Sequence, residues 1–297
     1  MAITVKAYAK LNLTLEIVGT EDGYHLLDSL VTSVDVFDSI HLKKRKDTLS
    51  RGIMHGLGSE SIPPEHNNAL KAAEAFSKKF HVNGADITIY KNIPIGAGMG
   101  GSSADISGVL NGMAKLYGIE DEEEIASLAD CLGSDTRYLL RGGAARMQGR
   151  GEKIQFLDDM PTLYFLLIYP ETGVSSGACY RQYDQMQIEK NFTSATENCI
   201  KAWKDKDIKG VGRYLMNDLF LPAATLLEDV KTAMEEGLSF SPDGAVMTGS
   251  GSCVAVLFES KELCDWAKSR YRGKYKTMVV KTVNPSKLSV WKNPFVL

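Results

Sequence analysis

Cysteine is scarce in this sequence. Cys131, Cys179, Cys199, Cys253 and Cys264 are widely spaced with no CxxC pair, and an odd count spread so thinly neither staples a fold nor cages zinc. They read as reduced thiols. His41, His55, His66 and His81 fall in polar segments without paired spacing, so no metal site is expected. No apolar run approaches the roughly 20 residues that span a bilayer; the longest covers residues 163–169. Lys6 and Lys10 interrupt the stretch where a signal peptide would be apolar, and a cytoplasmic protein without a membrane partner is expected. Excess charge is lacking too: 34 basic against 37 acidic side chains leave a formal charge of -3, too little positive field to hold nucleic acid. There is no low-complexity tract, charge block or fixed-period repeat.

What is present is an ordinary globular composition, 44% hydrophobic and 24% charged over 297 residues, enough for two domains at about 150 residues each. The first 40 residues alternate, with Leu11, Leu13, Leu15 and Ile17 on one parity, a turn at Asp22 and Gly23, and a second run over residues 30–36. This predicts a β-hairpin or meander. Helical spacing of Leu70, Ala73, Phe76 and Phe80 precedes a strand at Ile87 and Ile89 that ends at Pro94. After the glycines that follow, Ile106, Val109, Leu110, Met113 and Leu116 mark a helix closed by Gly118, with Ser102 and Asp105 as a capping-box-like start. A further helix opens at Glu122 and ends at Gly133. The pattern resets near residues 158–161, which divides the chain into 1–158 and 159–297. The second part reads as β, several helices, β, β, α, β, the order of a ferredoxin-like split βαβ unit with helices inserted in the first crossover.

The segment between strand and helix carries the chemistry. Pro94 and Ile95 lead into Gly96, Ala97, Gly98 and Met99, then Gly100, Gly101, Ser102 and Ser103. Glycines let backbone amides approach an anion, and the helix start adds partial positive charge, so the segment reads as a phosphate cradle. A Walker A loop needs a GK[ST] ending that is missing here. A protein-kinase loop needs valine where Ser103 stands. Gly96, Gly98 and Gly101 satisfy GxGxxG, but the acids some 20 positions on, Glu122–Glu124, open a helix instead of ending a second strand. A glycine-rich turn without ligand is the plain alternative.

Three segments together, AYAKLNLTLEI (7–17), IPIGAGMGGSSAD (93–105) and MTGSGSCVAVLF (247–258), resemble the GHMP kinases, ATP-dependent kinases of small molecules. DGYH (22–25), GSD (133–135), GxGE (149–152) and VSSGACYRQYD (174–184) resemble the members that phosphorylate an alcohol bearing a cytidine diphosphate group in isoprenoid precursor synthesis. Two positions depart from the family's pattern: the glycine loop is one residue shorter than its commonest form, and Arg137 stands where proline is usual.

The resemblance implies an α+β, two-domain fold, an N-terminal mixed sheet with helices and a C-terminal ferredoxin-like domain. It implies ATP on the loop from Pro94 to Ser103, Mg²⁺ arriving with ATP, and the acceptor alcohol between the domains. It implies Asp135 as the base that takes the hydroxyl proton and Lys10 as its cationic partner; without it, a helix-capping aspartate and a solvated strand lysine would be the readings. Asn12 shares the face of Lys10 and is a candidate for the acceptor hydroxyls. Tyr24 and Tyr180 are candidate stacking faces for a pyrimidine and His25 for its edge, against plain packing roles. Lys91 is a candidate for the nucleotide or a plain strand-end lysine. Gly249 and Gly251 form a second glycine turn that the resemblance places near the acceptor. Gly98→Val or Gly101→Val is expected to abolish ATP binding while leaving the fold intact. A homoserine- or mevalonate-type kinase, or a non-catalytic metabolite binder, are the competing functions.

Overall fold

The computed structural model describes residues 1–56, 67–158, 161–187 and 194–285; His66 lies outside them, and the boundary at 158/159 adjoins the undescribed residues 159–160. The chain begins with β1 (Ala2–Asn12), β2 (Thr14–Glu21) and β3 (Tyr24–Lys44), the expected meander. β3 is a 21-residue spine on which β1, β2, β5 (Ala85–Lys91) and β6 (Ala144–Gly149) all pair antiparallel. Its outer half alternates strictly, with Val36, Asp38, Ile40 and Leu42 buried and Asp35 and Lys43 exposed. The segment read as merely polar contains β4 (Arg51–Gly56), parallel to β5. The glycine-rich stretch after residue 141 is a hairpin, β6 turning through the GxGE residues into β7 (Lys153–Leu157).

Helices α1 (Asn68–Phe80), α2 (Gly101–Tyr117), α3 (Glu122–Asp130) and α4 (Thr136–Arg141) complete the N-terminal part. Asn67 caps α1 by accepting the Leu70 amide, and Asp121 caps α3 with three glutamates in the first turn, where the helix dipole favours them. α2 lies close on the sheet because Gly108 and Gly112 face Ile40 and Leu42; a Cβ at either would come within 2.6 and 2.5 Å of those side chains.

The second part runs β8 (Tyr164–Tyr169), α5 (Ser176–Met186), α6 (Ala195–Lys204), α7 (Ile208–Arg213), β9 (Met216–Asn217), α8 (Phe220–Leu226), α9 (Glu228–Leu238), β10 (Gly244–Met247), β11 (Val254–Phe258), α10 (Lys261–Arg270) and β12 (Lys276–Val283). The sheet order β10-β11-β8-β12, antiparallel throughout, is that of the ferredoxin-like unit. β12 also pairs with β3 through Thr282 and Val283, so one sheet runs through both parts. Short β9 adds to β2. A main core fills the N-terminal part and reaches β8, while Leu15, Ile17, Cys179, Tyr183, Leu219 and Met247 form a second cluster between β2 and helices α5, α8 and α9. No helix among the described residues is long and apolar enough to cross a membrane.

Candidate active site

The glycine loop alternates. Gly96, Gly98 and Gly100 take left-handed φ of 71°, 76° and 72°, while Ala97 and Met99 between them are buried in the main core. The carbonyls are turned to the protein: Met99 O accepts the Lys10 amide at 3.0 Å, Ala97 O the Cys253 amide at 3.2 Å, and Gly98 O the Thr248 hydroxyl at 3.3 Å. The first-turn amides of α2 have no partner within the helix and open on the same side. Residues 94–103 line a cleft of about 320 Å³, with Lys91, Ser176, Ser250 and Gly251 on its walls. Gly249, at φ 57°, packs on Gly98 instead.

The anticipated freedom around the glycines is not open space. A Cβ at Gly98 would stand 2.1 Å from the Thr248 carbonyl oxygen, and one at Gly100 would stand 3.1 Å from the Lys10 side chain. Glycine at 98 is therefore demanded by the protein's own second turn, and a valine there disturbs the fold, contrary to the expectation that it would spare it. Gly101 has no left-handed φ, and a Cβ there would meet Ile93 at 3.2 Å and Lys91 Nζ at 3.8 Å, side chains alone.

Lys10 and Asp135 come together, Nζ to Oδ2 at 3.5 Å. Asp135 sits at the start of α4 but makes no capping bond there, so its carboxylate is left to the site. Lys10 is buried where a strand-surface lysine reads as solvated: odd-numbered residues face the core along the whole strand, but at its end the opposite face is covered too, so the last four residues are all buried. Its ammonium donates to Asn12 Oδ1 at 2.5 Å, which also accepts the Gly249 amide at 3.1 Å. Asn12 in turn donates from Nδ2 to Ser29 Oγ at 2.9 Å. These bonds make Asn12 a link between Lys10 and the second glycine turn, where a direct hold on acceptor hydroxyls was the expectation.

At the far end of the site His25 stacks on Tyr180 at 4.8 Å between centroids, meets the edge of Tyr183, and places Nε2 2.7 Å from Asp184. Burial, and after it the Asp135 charge, push the Tyr180 hydroxyl up to about 12. Tyr24 stands apart from the ring pair, exposed, with the Arg150 guanidinium 4.2 Å over its face.

Two family models match this chain, GHMP kinases N terminal domain over residues 67–143 and GHMP kinases C terminal over residues 196–276. A 4-diphosphocytidyl-2-C-methyl-D-erythritol kinase of Clostridium tetani is 33% identical over 281 residues, covering 93% of this chain and 98% of its own. The chain belongs to the GHMP kinase family. A second relative of that name, from Caldanaerobacter subterraneus, is 33% identical over 96% of this chain and 98% of its own. A crystal structure of 4-(cytidine 5'-diphospho)-2C-methyl-D-erythritol kinase superposes with a TM-score of 0.77 at 25% identity, covering 94% of this chain and 99% of that one. A homoserine kinase from Cytophaga hutchinsonii shares the fold at a TM-score of 0.68 and 16% identity, covering 95% of each chain.

Within this GHMP kinase two placements differ from the sequence reading, and Arg137 gains one. α2 has no capping box: Gly100 is the cap residue and provides no side chain, while Asp105 bonds Lys91 Nζ at 2.5 Å. Lys91 is neither a surface lysine nor a free cation for phosphate, since its buried ammonium bridges Asp38 and Asp105. Arg137, in the usual place of a proline, pairs with Asp130 at 2.6 Å and Glu123 at 3.3 Å, tying α4 to α3. Asn217 is a functional residue that sequence reasoning missed: its Nδ2 donates to Met247 O and Gly249 O at 2.6 and 2.8 Å and holds the second turn. Nothing marks it in a two-residue strand. Ser176 and Ser250, 3.0 Å apart on the cleft wall, lay inside noted motifs without being singled out.

Burial pushes the Asp105 carboxyl up to about 7, the Lys91 ammonium opposing and Asp38 adding to the rise. Burial works to lower the Lys91 value, but Asp105 and Asp38 more than offset it and keep the ammonium charged. A folded-state value above the ordinary carboxylate range means that Asp105 binds a proton on folding between about pH 4 and pH 7. Its contribution to stability is full below that window and is lost as pH rises through it. The melting temperature relative to Asp105→Asn should therefore fall between about pH 4 and pH 7, as calorimetric melts of the two proteins would show.

Proposed function

We propose that the chain transfers the γ-phosphoryl group of ATP to a hydroxyl of 4-diphosphocytidyl-2-C-methyl-D-erythritol, as its relatives' names describe. The observation that carries this is the junction at which the Lys10–Asp135 pair, the glycine loop and the second turn meet. The loop amides and the start of α2 hold the phosphates of ATP, and Asp135 takes the acceptor's proton as the phosphoryl group departs. Lys10, held by Asn12, places positive charge between that carboxylate and the transferring group. Residues 1–158 supply the loop, the base and the lysine, and residues 159–297 supply Tyr180 and the second turn. Mg²⁺ arrives with the nucleotide in this reading, held largely by phosphate oxygens.

His25, fixed by Asp184 and Tyr180, presents its ring to the cytosine edge, and Tyr24 offers an exposed face for stacking. The test is ATP consumption with the cytidyl compound, homoserine, mevalonate and galactose, with turnover expected for the first alone. Tyr24→Ala should raise the acceptor KM about fivefold, the equivalent of roughly 1 kcal/mol of stacking, with the KM for ATP unchanged. Equal rises in both would return Tyr24 to a packing role.

A further inference from the structure

Asp38 is fully buried in the outer half of β3, on the parity otherwise filled by Val36, Ile40 and Leu42. A carboxylate on a core face is costly unless every oxygen is paired. Here it is. Oδ1 accepts the backbone amides of Asn92 at 2.6 Å and Ile93 at 2.9 Å, and Oδ2 accepts from Lys91 Nζ. Those two amides are the last before Pro94, where the glycine loop begins. The same ammonium reaches Asp105 Oδ2 at 2.5 Å, in the first turns of α2 where the loop ends. A Cβ on Gly101 would lie 3.8 Å from Lys91 Nζ, so the charge sits directly under the loop's exit.

We propose that Asp38 is a positioning residue for the phosphate loop: with Lys91 and Asp105 it forms a buried charged brace that ties the loop's entrance to its exit and so sets the affinity for nucleotide. The proposal rests on the reading that this loop holds ATP. Through Asp38 the brace holds the protein's own backbone, so its effect is to keep the amides converged before the nucleotide arrives. Preorganisation of this kind appears in nucleotide binding and leaves the acceptor alone. Asp105 Oδ1 is buried without a hydrogen-bond partner, and both Asp105 and Lys91 line the cleft.

The experiment is calorimetric titration of Mg-ATP with parallel thermal melts on the full chain. Lys91→Met is expected to weaken ATP about tenfold or more and to lower the melting temperature, because it leaves two buried carboxylates with no cation. Lys91→Met/Asp105→Leu replaces one ion pair by apolar groups of similar size and should regain much of the melting temperature, while ATP binding stays weak and the acceptor KM stays at the wild-type value. Asp38→Asn, the mildest change, should weaken ATP severalfold. ATP affinity that returns together with the melting temperature in the double variant would overturn the proposal and leave the cluster a stability element. Wild-type ATP affinity in folded Lys91→Met or in Asp38→Asn would overturn it as well. A wild-type chain that binds no ATP would instead overturn the kinase reading, and the brace proposal with it.

Discussion

Asp135→Asn should lower kcat by roughly 10² to 10⁴, since asparagine keeps the shape of the side chain but takes no proton at neutral pH. Both substrate affinities should stay near wild type, because the carboxylate makes no capping bond to α4 that its loss would break. Lys10→Met should also lower kcat by removing charge 3.5 Å from the carboxylate. Groups that act as a unit are non-additive, so the double variant should be little worse than the poorer single one. Single-turnover phosphoryl transfer in the three variants, with melting curves to verify folding, is the measurement. A fully active Asp135→Asn enzyme would remove the base and leave positioning as the source of rate.

Gly98→Val should abolish ATP binding and also lower the melting temperature, by roughly 5 °C or more, on the basis of 1 to 2 kcal/mol for a left-handed residue with a Cβ before any collision is counted. The collision is with backbone, the Thr248 carbonyl oxygen at 2.1 Å, which cannot swing aside as a side-chain end can. Gly101→Ala, without a left-handed φ and with no contact closer than the Ile93 side chain at 3.2 Å, should be much milder on both readouts. Equal melting temperatures for wild type and Gly98→Val would show that the loop and the second turn are not in register with each other.

The parts of this fold that are local in sequence were legible. Alternation marked β1 to β3, 3.6-residue spacing marked α1 and α2, and the β, α, β, β, α, β order of the second part named its sheet before any pairing was known. The glycines and serines of residues 96–103 announced the cleft because few other roles call for so many unbranched residues at a helix start. What stayed hidden depended on distant segments. Lys10 read as solvated because parity alone cannot see that both faces of the strand's end are covered, and Asn12 read as a ligand because Gly249, 237 positions away, is invisible to it. Asp38 carried a usable signal, an acid on an apolar parity. Nothing local distinguishes Lys91 from any strand-end lysine, and its two carboxylate partners lie 53 and 14 residues off.

The pairing of β12 with both β8 and β3 bears on how substrates come and go. With Thr282 and Val283 in the ladder of β3, the two parts of the molecule cannot swing open like a clamshell without breaking strand hydrogen bonds. Entry and departure of nucleotide and acceptor are therefore expected to use local rearrangement of turns and side chains at the rim, movements smaller than domain rotation that would leave the proposed Lys10–Asp135 pair in place.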